Sequence, residues 1–426
     1  MPPQSKQFDV AGRKRGRKTN ASSPPNSKTK VTARRGRAIP GRGSLVNVTN
    51  PTRKILVVRR ENIGDLILTT PLIRLLREQL PNAHMAALVN SYNAPILDGN
   101  DDLDEVFVYT KGKHADSWWG VVVARYELVR LFLKLRRMQF DDVILAEPTY
   151  TPRNIRLARF ILGKPWSLAE RRVIGFEHED GTHTGLDVVV SKAKMDGLHQ
   201  APIMLRIAEA YGSPLPSVTM EDKPCCRVGR STALTATGST AAGETNPLLV
   251  GRHIGRHIGL HISARKPSQR WPVEAFAALA TQIQQAGAVR VSVFWSPGAA
   301  DNALHPGDDE KAQTLKALLA ATSVAVDFVP TTDLASLICA VDEVSMFICA
   351  DGGAMHIAAG LGKPIIALFG DSDPIRWRPW GVPNRVLQAA TRNVADLSVE
   401  EVLAAFHELV TECSFQGKIR TAKIEI

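Results

Sequence analysis

The sequence lacks both a long apolar run and a cysteine pattern typical of disulfide-bonded or zinc-binding proteins. No stretch approaches the roughly 18 consecutive apolar residues that a membrane-spanning helix needs. There are five cysteines, an odd number, and no two of them form a CxxC pair. This usage favours a reducing compartment, and it supplies neither a disulfide framework nor metal-ligand spacing.

Acidic residues are almost missing from the start of the chain, and this absence explains the net charge of +11. Residues 1–53 hold 13 of the 53 Lys and Arg residues but only one of the 42 acids, which leaves 40 bases and 41 acids in the rest. Residues 1–52 also lack apolar periodicity and the apolar core of a secretory signal, so they are predicted to be a disordered basic tail. Two interpretations stay open: a solvated extension, or an electrostatic arm for an anionic membrane or nucleic acid.

The remaining chain is too long for one hydrophobic core and repeats one rhythm twice. Short apolar runs such as "KILVV" and "RVSVFW" alternate with amphipathic helix patterns, which predicts an α/β protein with parallel sheets. The predicted domains are residues 53–212 and 247–412, joined by a Ser-, Thr- and Gly-rich linker over 213–246 and followed by a tail over 413–426. Two open sheets of this kind place a ligand in the cleft between their carboxyl edges.

The segment "GRHIGRHIGLHIS" repeats "GRHIG" in tandem and spaces three histidines four residues apart, His253, His257 and His261. Such spacing puts the three side chains on one face, as a metal site would require. No acid or thiol lies nearby in the sequence to complete the ligand set. A local duplication that lengthens a loop or strand start is therefore the favoured interpretation.

Two turns in the second half have the features of an anion site. In "ADGGAMHIAAG" a strand ends at Ala350, and Asp351 with two glycines leads into a helix. Glycines allow close approach to the backbone, and free N–H groups at a helix start favour phosphate, although Asp351 could equally be a cap. In "ISARKPSQRWP", basic residues follow Ser263, and they indicate either a phosphate site or a solvated loop.

A DxD pair, Asp371 and Asp373, lies in "GDSDPIRWRPWG". This arrangement could hold a divalent cation. The neighbouring proline, aromatic residues and arginines favour a turn in which Asp373 caps or pairs, so metal is the less favoured interpretation.

In the first half, "RRENIGDLILTTP" places Asp65 where the first strand turns into a helix. An acid there is by default a helix cap. A carboxylate makes a poor phosphate site, but at the rim of a cleft whose other wall binds phosphate it is suited to accept a proton from a nucleophile.

With these three motifs in this order, the chain resembles glycosyltransferase family 9, the ADP-heptose:lipopolysaccharide heptosyltransferases of Gram-negative bacteria. The resemblance runs from about Lys54 to Val410 and rests on "ILVVRRENIGDLILTTPLIRLLRE", "RKPSQRWPVEAFAALA" and "DGGAMHIAAGLGKPIIALFGDSDPIRWRPWG". It implies a GT-B fold, with two Rossmann-like domains of which the C-terminal one binds the donor and the N-terminal one the acceptor. It also implies inverting transfer from ADP-heptose to a lipopolysaccharide inner-core acceptor, without metal or other cofactor.

The resemblance further implies roles for individual residues. Asp65 would be the catalytic base. The residues expected around the donor are Ser263, Arg265, Lys266, Asp301, Asp351, Gly352, Gly353 and His356. Of these, Asp301 would face the ribose. One departure from the family is Gln269, where a lysine is usual, and it places donor preference in question.

The sequence thus predicts a cytoplasmic glycosyltransferase that acts at the inner face of the cytoplasmic membrane, with no specific nucleic-acid partner. Two alternatives remain. One is a family member with another nucleotide sugar or glycan acceptor, and the other is a non-catalytic protein that binds polyanions or membrane surfaces through its tail.

Overall fold

A computed structural model describes residues 53–110, 118–163, 171–192, 195–212, 256–287, 289–302, 307–322 and 324–422. The predicted basic tail, the predicted linker and His253 lie outside the described residues. Among the residues that are described, no helix combines the length and apolarity needed to cross a bilayer.

The N-terminal domain contains a six-stranded sheet in which all neighbouring strands are parallel. Its strands, in chain order, are β1 (Lys54–Val58), β2 (His84–Asn90), β3 (Glu105–Tyr109), β4 (Asp142–Leu145), β5 (Arg172–Phe176) and β6 (Val188–Val190). The spatial order is β3-β2-β1-β4-β5-β6. Helices cover both faces, which explains why central strands such as "KILVV" are continuously apolar.

The α-helices in the described part of this domain are α1 (Ile63–Ile67), α2 (Thr70–Gln79), α3 (Trp118–Arg137), α4 (Pro152–Leu162) and α5 (Gln200–Leu205). Pro71 and Pro152 lie in the first turns of α2 and α4. Proline is well tolerated there, because a first-turn N–H has no partner within the helix. Short 3₁₀ helices follow at Ala94–Leu97 and Arg206–Tyr211.

The C-terminal domain repeats the same parallel sheet. Its strands are β7 (His257–His261), β8 (Arg290–Trp295), β9 (Val326–Pro330), β10 (Met346–Ala350), β11 (Ile365–Phe369) and β12 (Asn384–Gln388), in the order β12-β11-β10-β7-β8-β9. In both domains the first and fourth strands in chain order are neighbours (β1 with β4, and β7 with β10), and the direction in which successive strands are added to the sheet reverses between them. A ligand of an open α/β sheet binds at the carboxyl edge beside such a reversal.

The helices of this domain are α6 (Val273–Gln285), α7 (Asp309–Ala320), α8 (Leu334–Glu343), α9 (Gly353–Gly360), α10 (Pro374–Trp377) and α11 (Val399–Ala422), with 3₁₀ turns at Pro267–Gln269 and Val394–Asp396. The last helix extends past residue 412, where the sequence predicts the tail to begin. Cys413 is buried in the core of this domain, so the packed structure includes at least this residue of that segment.

One hydrophobic cluster joins the two domains. It contains Ile63 and Leu66 from α1 together with Ala354 and Ile357 from α9. Helix α1 follows β1 and helix α9 follows β10, so the contact forms between strand ends that flank the two reversals. The two sequence motifs that start these helices are therefore neighbours in the folded protein.

Candidate active site

Asp65 lies on the N-terminal side of the cleft and is held on both carboxylate oxygens. It is the third residue of α1, and its Oδ2 accepts hydrogen bonds from the backbone N–H of Asn62 at 3.3 Å and from the Asn62 amide at 3.0 Å. Its Oδ1 accepts a bond from Arg59 Nη2 at 2.7 Å. The side chain remains 13% exposed. Asp65 is therefore both a cap and a carboxylate that faces solvent in the cleft.

Arg59 is a site residue that the sequence analysis missed. Its guanidinium is buried, donates to the carbonyl oxygen of Ala146, and pairs with Glu61 across 3.2 Å between Nε and Oε2. A buried cation of this kind needs such partners, because removal from water strongly disfavours an unpaired charge. The two consecutive arginines directly after β1 were the available sequence signal.

Two glutamates, Glu61 and Glu147, form a carboxyl pair beside Arg59. Glu147 follows β4, is buried, and accepts a hydrogen bond from the Asn154 amide. Arg60 in turn donates to the carbonyl of the Asn154 side chain. Burial raises the pKa of Glu147 to about 7, and a hydrogen bond with Glu61 acts in the same direction. The two glutamates thus hold a titratable group near neutral pH at the carboxyl edge of the sheet.

The glycine turn lies on the opposite wall. Asp351 follows β10, and its Oδ2 accepts a hydrogen bond at 3.0 Å from the amide of Gln269. Gly353 begins α9, and a Cβ at this position would lie 3.4 Å from the Ile63 side chain of α1. The two helix starts are therefore close together. Backbone N–H groups of the first turn of α9 have no helical partner, and they are available to an anion.

His356 lies between the two walls. It is buried, and a Cβ built on Gly64 would come within 2.4 Å of its Cδ2 atom. Burial lowers the pKa of His356, while the charges of Asp351 and Asp65 oppose that shift. Its Nδ1 has no hydrogen-bond partner among the described residues. A buried imidazole nitrogen without a partner is available for a polar group of a bound substrate.

In the basic turn after β7, two of the residues expected to bind phosphate, Ser263 and Lys266, have partners within the protein. Ser263 Oγ accepts a hydrogen bond from the backbone N–H of Ser296 at 2.9 Å. Lys266 Nζ pairs with Asp371 Oδ1 at 3.1 Å. Arg265 is exposed, and its charge reaches Tyr92 of the N-terminal domain, where it opposes the rise in the Tyr92 pKa that burial causes.

Asp301 lies in an exposed turn after β8. Among the described residues, no hydrogen bond or ion pair joins it to Asp351 or to Ser263. The acid that organises this loop is Asp309, which accepts hydrogen bonds from Trp295 Nε1 at 2.8 Å and from the Gly298 N–H at 2.9 Å. Half-buried Lys311 donates to the carbonyl of Ile262, the residue before Ser263, at 3.0 Å, and desolvation lowers its pKa to about 8.

The DxD acids have protein partners. Asp371 pairs with Lys266, and Asp373 caps α10 by accepting the Ile375 N–H at 2.9 Å. No cluster of three metal-ligating acids, histidines or cysteines occurs within the described part of the chain. Of the predicted histidine row, His257 contacts Ser292 Oγ at 2.8 Å and His261 is buried in β7.

Arg376 is a further cation that faces this cleft. It lies on α10, and burial lowers its pKa, while the negative charges of Asp373 and Asp65 act against that shift. The site thus combines one solvent-facing carboxylate, one buried imidazole, a glycine turn at a helix start and several cations. These groups can together deprotonate a hydroxyl and bind an anionic leaving group.

The sequence is similar to those of known glycosyltransferases. Residues 219–407 match the model of glycosyltransferase family 9 (heptosyltransferase). Lipopolysaccharide heptosyltransferase 3 of Escherichia coli strain K12 is 26% identical over 371 residues, which cover 82% of this chain and 96% of that protein. Lipopolysaccharide heptosyltransferase 2 of Salmonella typhimurium is 26% identical over 163 residues, or 34% of this chain and 44% of that protein.

Solved structures show the same fold. A glycosyltransferase family 9 protein from Veillonella parvula has a TM-score of 0.64 at 20% identity, with 84% of this chain and 97% of that chain covered. The Escherichia coli heptosyltransferase WaaC with ADP-2-deoxy-2-fluoro heptose has a TM-score of 0.61 at 17% identity, with 83% and 99% covered. The predicted fold of two Rossmann-like domains in the GT-B arrangement is confirmed.

Proposed function

We propose that this chain is a glycosyltransferase of family 9 that transfers heptose from ADP-heptose to a lipopolysaccharide core acceptor with inversion at the anomeric carbon. The curated relatives bear the names of lipopolysaccharide heptosyltransferases, which supports this donor and acceptor. The alternative of a non-catalytic polyanion binder is not favoured. Such a binder has no need for a carboxylate opposite an anion turn.

The single observation that carries the proposal is the contact between α1 and α9. It brings Asp65 and the start of α9 to the same cleft, with His356 packed against Gly64. Asp65 would take the proton from the acceptor hydroxyl as its oxygen bonds to the anomeric carbon of the donor. The bond between that carbon and the diphosphate oxygen breaks at the same time, and ADP leaves with the electron pair.

The opposite wall would hold the donor. The N–H groups at Gly352 and Gly353 are suited to the diphosphate, with Asp351 and His356 near the sugar. Arg265, Lys266 and Ser263 would lie near the phosphates, and Asp301 near the ribose. Gln269 is neutral and donates to Asp351 and Ser372. The charge that develops on ADP would therefore be balanced by Arg265, Arg376 and the helix start.

We further propose that transfer needs no metal ion. The two carboxylates of the DxD pair are engaged by Lys266 and by the first turn of α10. A cation would have to compete with these contacts for the two carboxylates. The acceptor is carried by a lipid, so the enzyme would work as a peripheral protein at the inner face of the cytoplasmic membrane.

The decisive experiment compares Asp65→Asn with the wild type. A general base contributes roughly 10²–10⁴ in rate, so turnover of ADP-heptose should fall by at least about a hundredfold. ADP should still raise the melting temperature, since the donor wall is intact. Product mass and anomeric configuration identify the reaction, and EDTA should leave it unchanged.

Asp102→Asn is the matched control, because Asp102 is also a buried acid paired with an arginine, Arg74, at 3.0 Å. It should retain turnover. Wild-type turnover in Asp65→Asn would eliminate Asp65 as the base. Turnover of another donor instead of ADP-heptose, in a panel of nucleotide sugars, would overturn ADP-heptose as the substrate. Loss of activity with EDTA that only added Mg²⁺ restores would show that the reaction needs a metal ion, with the DxD pair as its candidate site.

A further inference from the structure

Helix α3 exposes a row of large apolar side chains. Val122, Tyr126, Val129 and Leu133 are exposed to 46%, 65%, 56% and 40%. At about 100° per residue these four positions fall within an arc of roughly 60° on the helix. The other side of the helix packs into the domain core through Leu135 and its neighbours. The exposed row is therefore not needed to attach α3 to the sheet.

Arginines border this row on both sides. At the same angular spacing, Arg125 and Arg136 lie along one edge, and Arg130 and Arg137 lie along the other. Glu127 is the only acid in the sequence of α3. An apolar stripe with basic edges is typical of a helix that lies in the interfacial plane of a membrane, where arginine heads reach the phosphate layer.

Helix α4 continues the surface. Phe160 is 43% exposed, and the Arg136 guanidinium lies 5.1 Å from the centre of its ring and donates to its carbonyl oxygen at 2.6 Å. Arg153 and Arg156 are exposed on the same face of α4 as Phe160. The α3–α4 face is defined here by these side chains: Val122, Arg125, Tyr126, Val129, Arg130, Leu133, Arg136, Arg137, Arg153, Arg156 and Phe160.

We propose that the α3–α4 face docks on the surface of an anionic phospholipid bilayer. Six arginines against one acid complement anionic headgroups, which attract basic side chains near the surface. The apolar side chains enter the boundary between headgroups and acyl chains, and Tyr126 suits that depth because its ring is amphipathic.

The orientation that results is compatible with the active site. Helix α3 connects the end of β3 to the start of the parallel strand β4, so its N-terminal end lies at the carboxyl edge of the sheet, where Asp65 is found. The inference rests on the proposed function in one respect: docking of this face presents the cleft edge to an acceptor that is carried by a lipid.

The test measures partition of the full chain onto vesicles by sedimentation. Vesicles of phosphatidylethanolamine and phosphatidylglycerol at 3:1 are compared with vesicles of phosphatidylcholine alone. Leu133→Asp removes an apolar contact from the face, and Leu318→Asp is the matched control, since Leu318 is a 38% exposed helical leucine on α7. Residues 1–53 are the same in every variant, so their electrostatic contribution cancels in the comparison.

The wild type should bind the anionic vesicles at least about tenfold more strongly than the neutral ones. Leu133→Asp should lower binding to anionic vesicles by about tenfold, while Leu318→Asp stays within about twofold of the wild type, a change typical of an unrelated surface site. Circular dichroism checks folding, and Tyr126→Ser replaces Leu133→Asp if the latter is unfolded. Both variants should keep the ADP-induced rise in melting temperature.

Equal binding by Leu133→Asp and Leu318→Asp would overturn the proposal, as would equal binding of the wild type to both kinds of vesicle. A wild-type dimer that becomes a monomer in Leu133→Asp, as measured by light scattering, would instead assign the face to a second copy of the chain. Vesicle binding requires no turnover. Failure of the glycosyltransferase proposal and failure of this one are therefore distinguishable.

Discussion

Asp65 and Arg59 form a unit in which a buried cation orients a catalytic candidate. The 2.7 Å contact between Arg59 Nη2 and Asp65 Oδ1, together with the Asn62 donors on Oδ2, leaves the carboxylate little rotational freedom. A fixed carboxylate loses less entropy when the acceptor hydroxyl binds. Capping and proton transfer are therefore compatible roles, because the donors that hold the acid also aim it.

Glu147 gives the site a pH dependence that can be measured. Burial raises the pKa of Glu147 to about 7 from 4.5, so the folded protein binds the proton more tightly than the unfolded chain. Stability from this group is present below about pH 4.5 and is lost as pH rises to about 7. Glu147→Gln imitates the protonated form, so it should unfold like the wild type at pH 4.5 and be more stable at pH 8 by about 1–3 kcal/mol.

Urea denaturation of both proteins at the two pH values checks this expectation. Glu105→Gln is the control, because Glu105 is only half-buried and pairs with exposed Lys134 at the surface, where ion pairs contribute little. A stability difference between Glu147→Gln and the wild type that is the same at both pH values would show that Glu147 does not titrate in this range.

The role of Gln269 could not be predicted from the sequence. The sequence shows that the usual lysine is missing there, but charge alone cannot show what the amide does. In the structure Gln269 is buried and bridges Asp351 and Ser372. Lys266 is occupied by Asp371, and Arg270 donates to the backbone carbonyls of Ala264 and Arg265. These pairings link residues that are distant in sequence, so no local pattern could reveal them.

At the scale of elements, the contact of α1 with α9 depends on the missing side chain of Gly64. A Cβ at this position would lie 2.4 Å from Cδ2 and 3.0 Å from Nε2 of His356, whose imidazole is buried. Gly64→Ala should therefore displace His356 and cost about 1–3 kcal/mol of stability. Turnover should fall as well, because Asp65 is the next residue in the helix.

Gly287→Ala is the control, since a Cβ there meets nothing within 4 Å. Adding His356→Ala to Gly64→Ala should restore stability, because the clash is gone, without restoring turnover. Melting temperatures and turnover of the single and double variants provide the measurement. If the double variant is no more stable than Gly64→Ala, the clash with His356 is not the cause of the loss.

Elements were predictable where apolar runs were buried on both faces. The sequence predicts β1 and β8 close to their observed positions, because burial on two sides leaves a continuous apolar signal. It misses β5, β6 and β12. β6 has only three residues, and β12 is half-buried throughout, so neither carries that signal. The start of α2 is marked in the sequence by Pro71, which lies in its first turn.

At the scale of the whole molecule, the two domains are joined by more than the α1–α9 contact. His199, which precedes α5, stacks on Trp380 of the C-terminal domain with ring centroids 4.6 Å apart. Its Nε2 lies 2.8 Å from the Arg378 carbonyl oxygen, and its Nδ1 accepts the Ala201 N–H. Nε2 is therefore the protonated nitrogen, and His199 links the start of α5 to the opposite domain.

The two parallel sheets could be predicted from the repeated alternation of apolar runs and helix patterns in the sequence. The contact of His199 with the C-terminal domain could not. Its partners lie 179 positions apart, and a histidine before a helix gives no sign of a partner in another domain. The fold of each half could thus be predicted from local patterns. The surfaces by which the halves meet could not, because pairing between domains is set by packing of the complete chain.

His199→Ala should loosen the N-terminal domain selectively. The variant loses one cap and one hydrogen bond between the domains, which predicts a loss of about 1–3 kcal/mol. Amides of β1 and β2 should exchange hydrogen faster, whereas those of β7 and β8 keep their protection, because the core of the C-terminal domain is untouched. The control is His407→Ala, since His407 is exposed on α11 and should change neither sheet. Equal acceleration in both sheets would show that His199 supports the molecule as a whole, and unchanged exchange would show that the His199 contacts contribute little to holding the domains together.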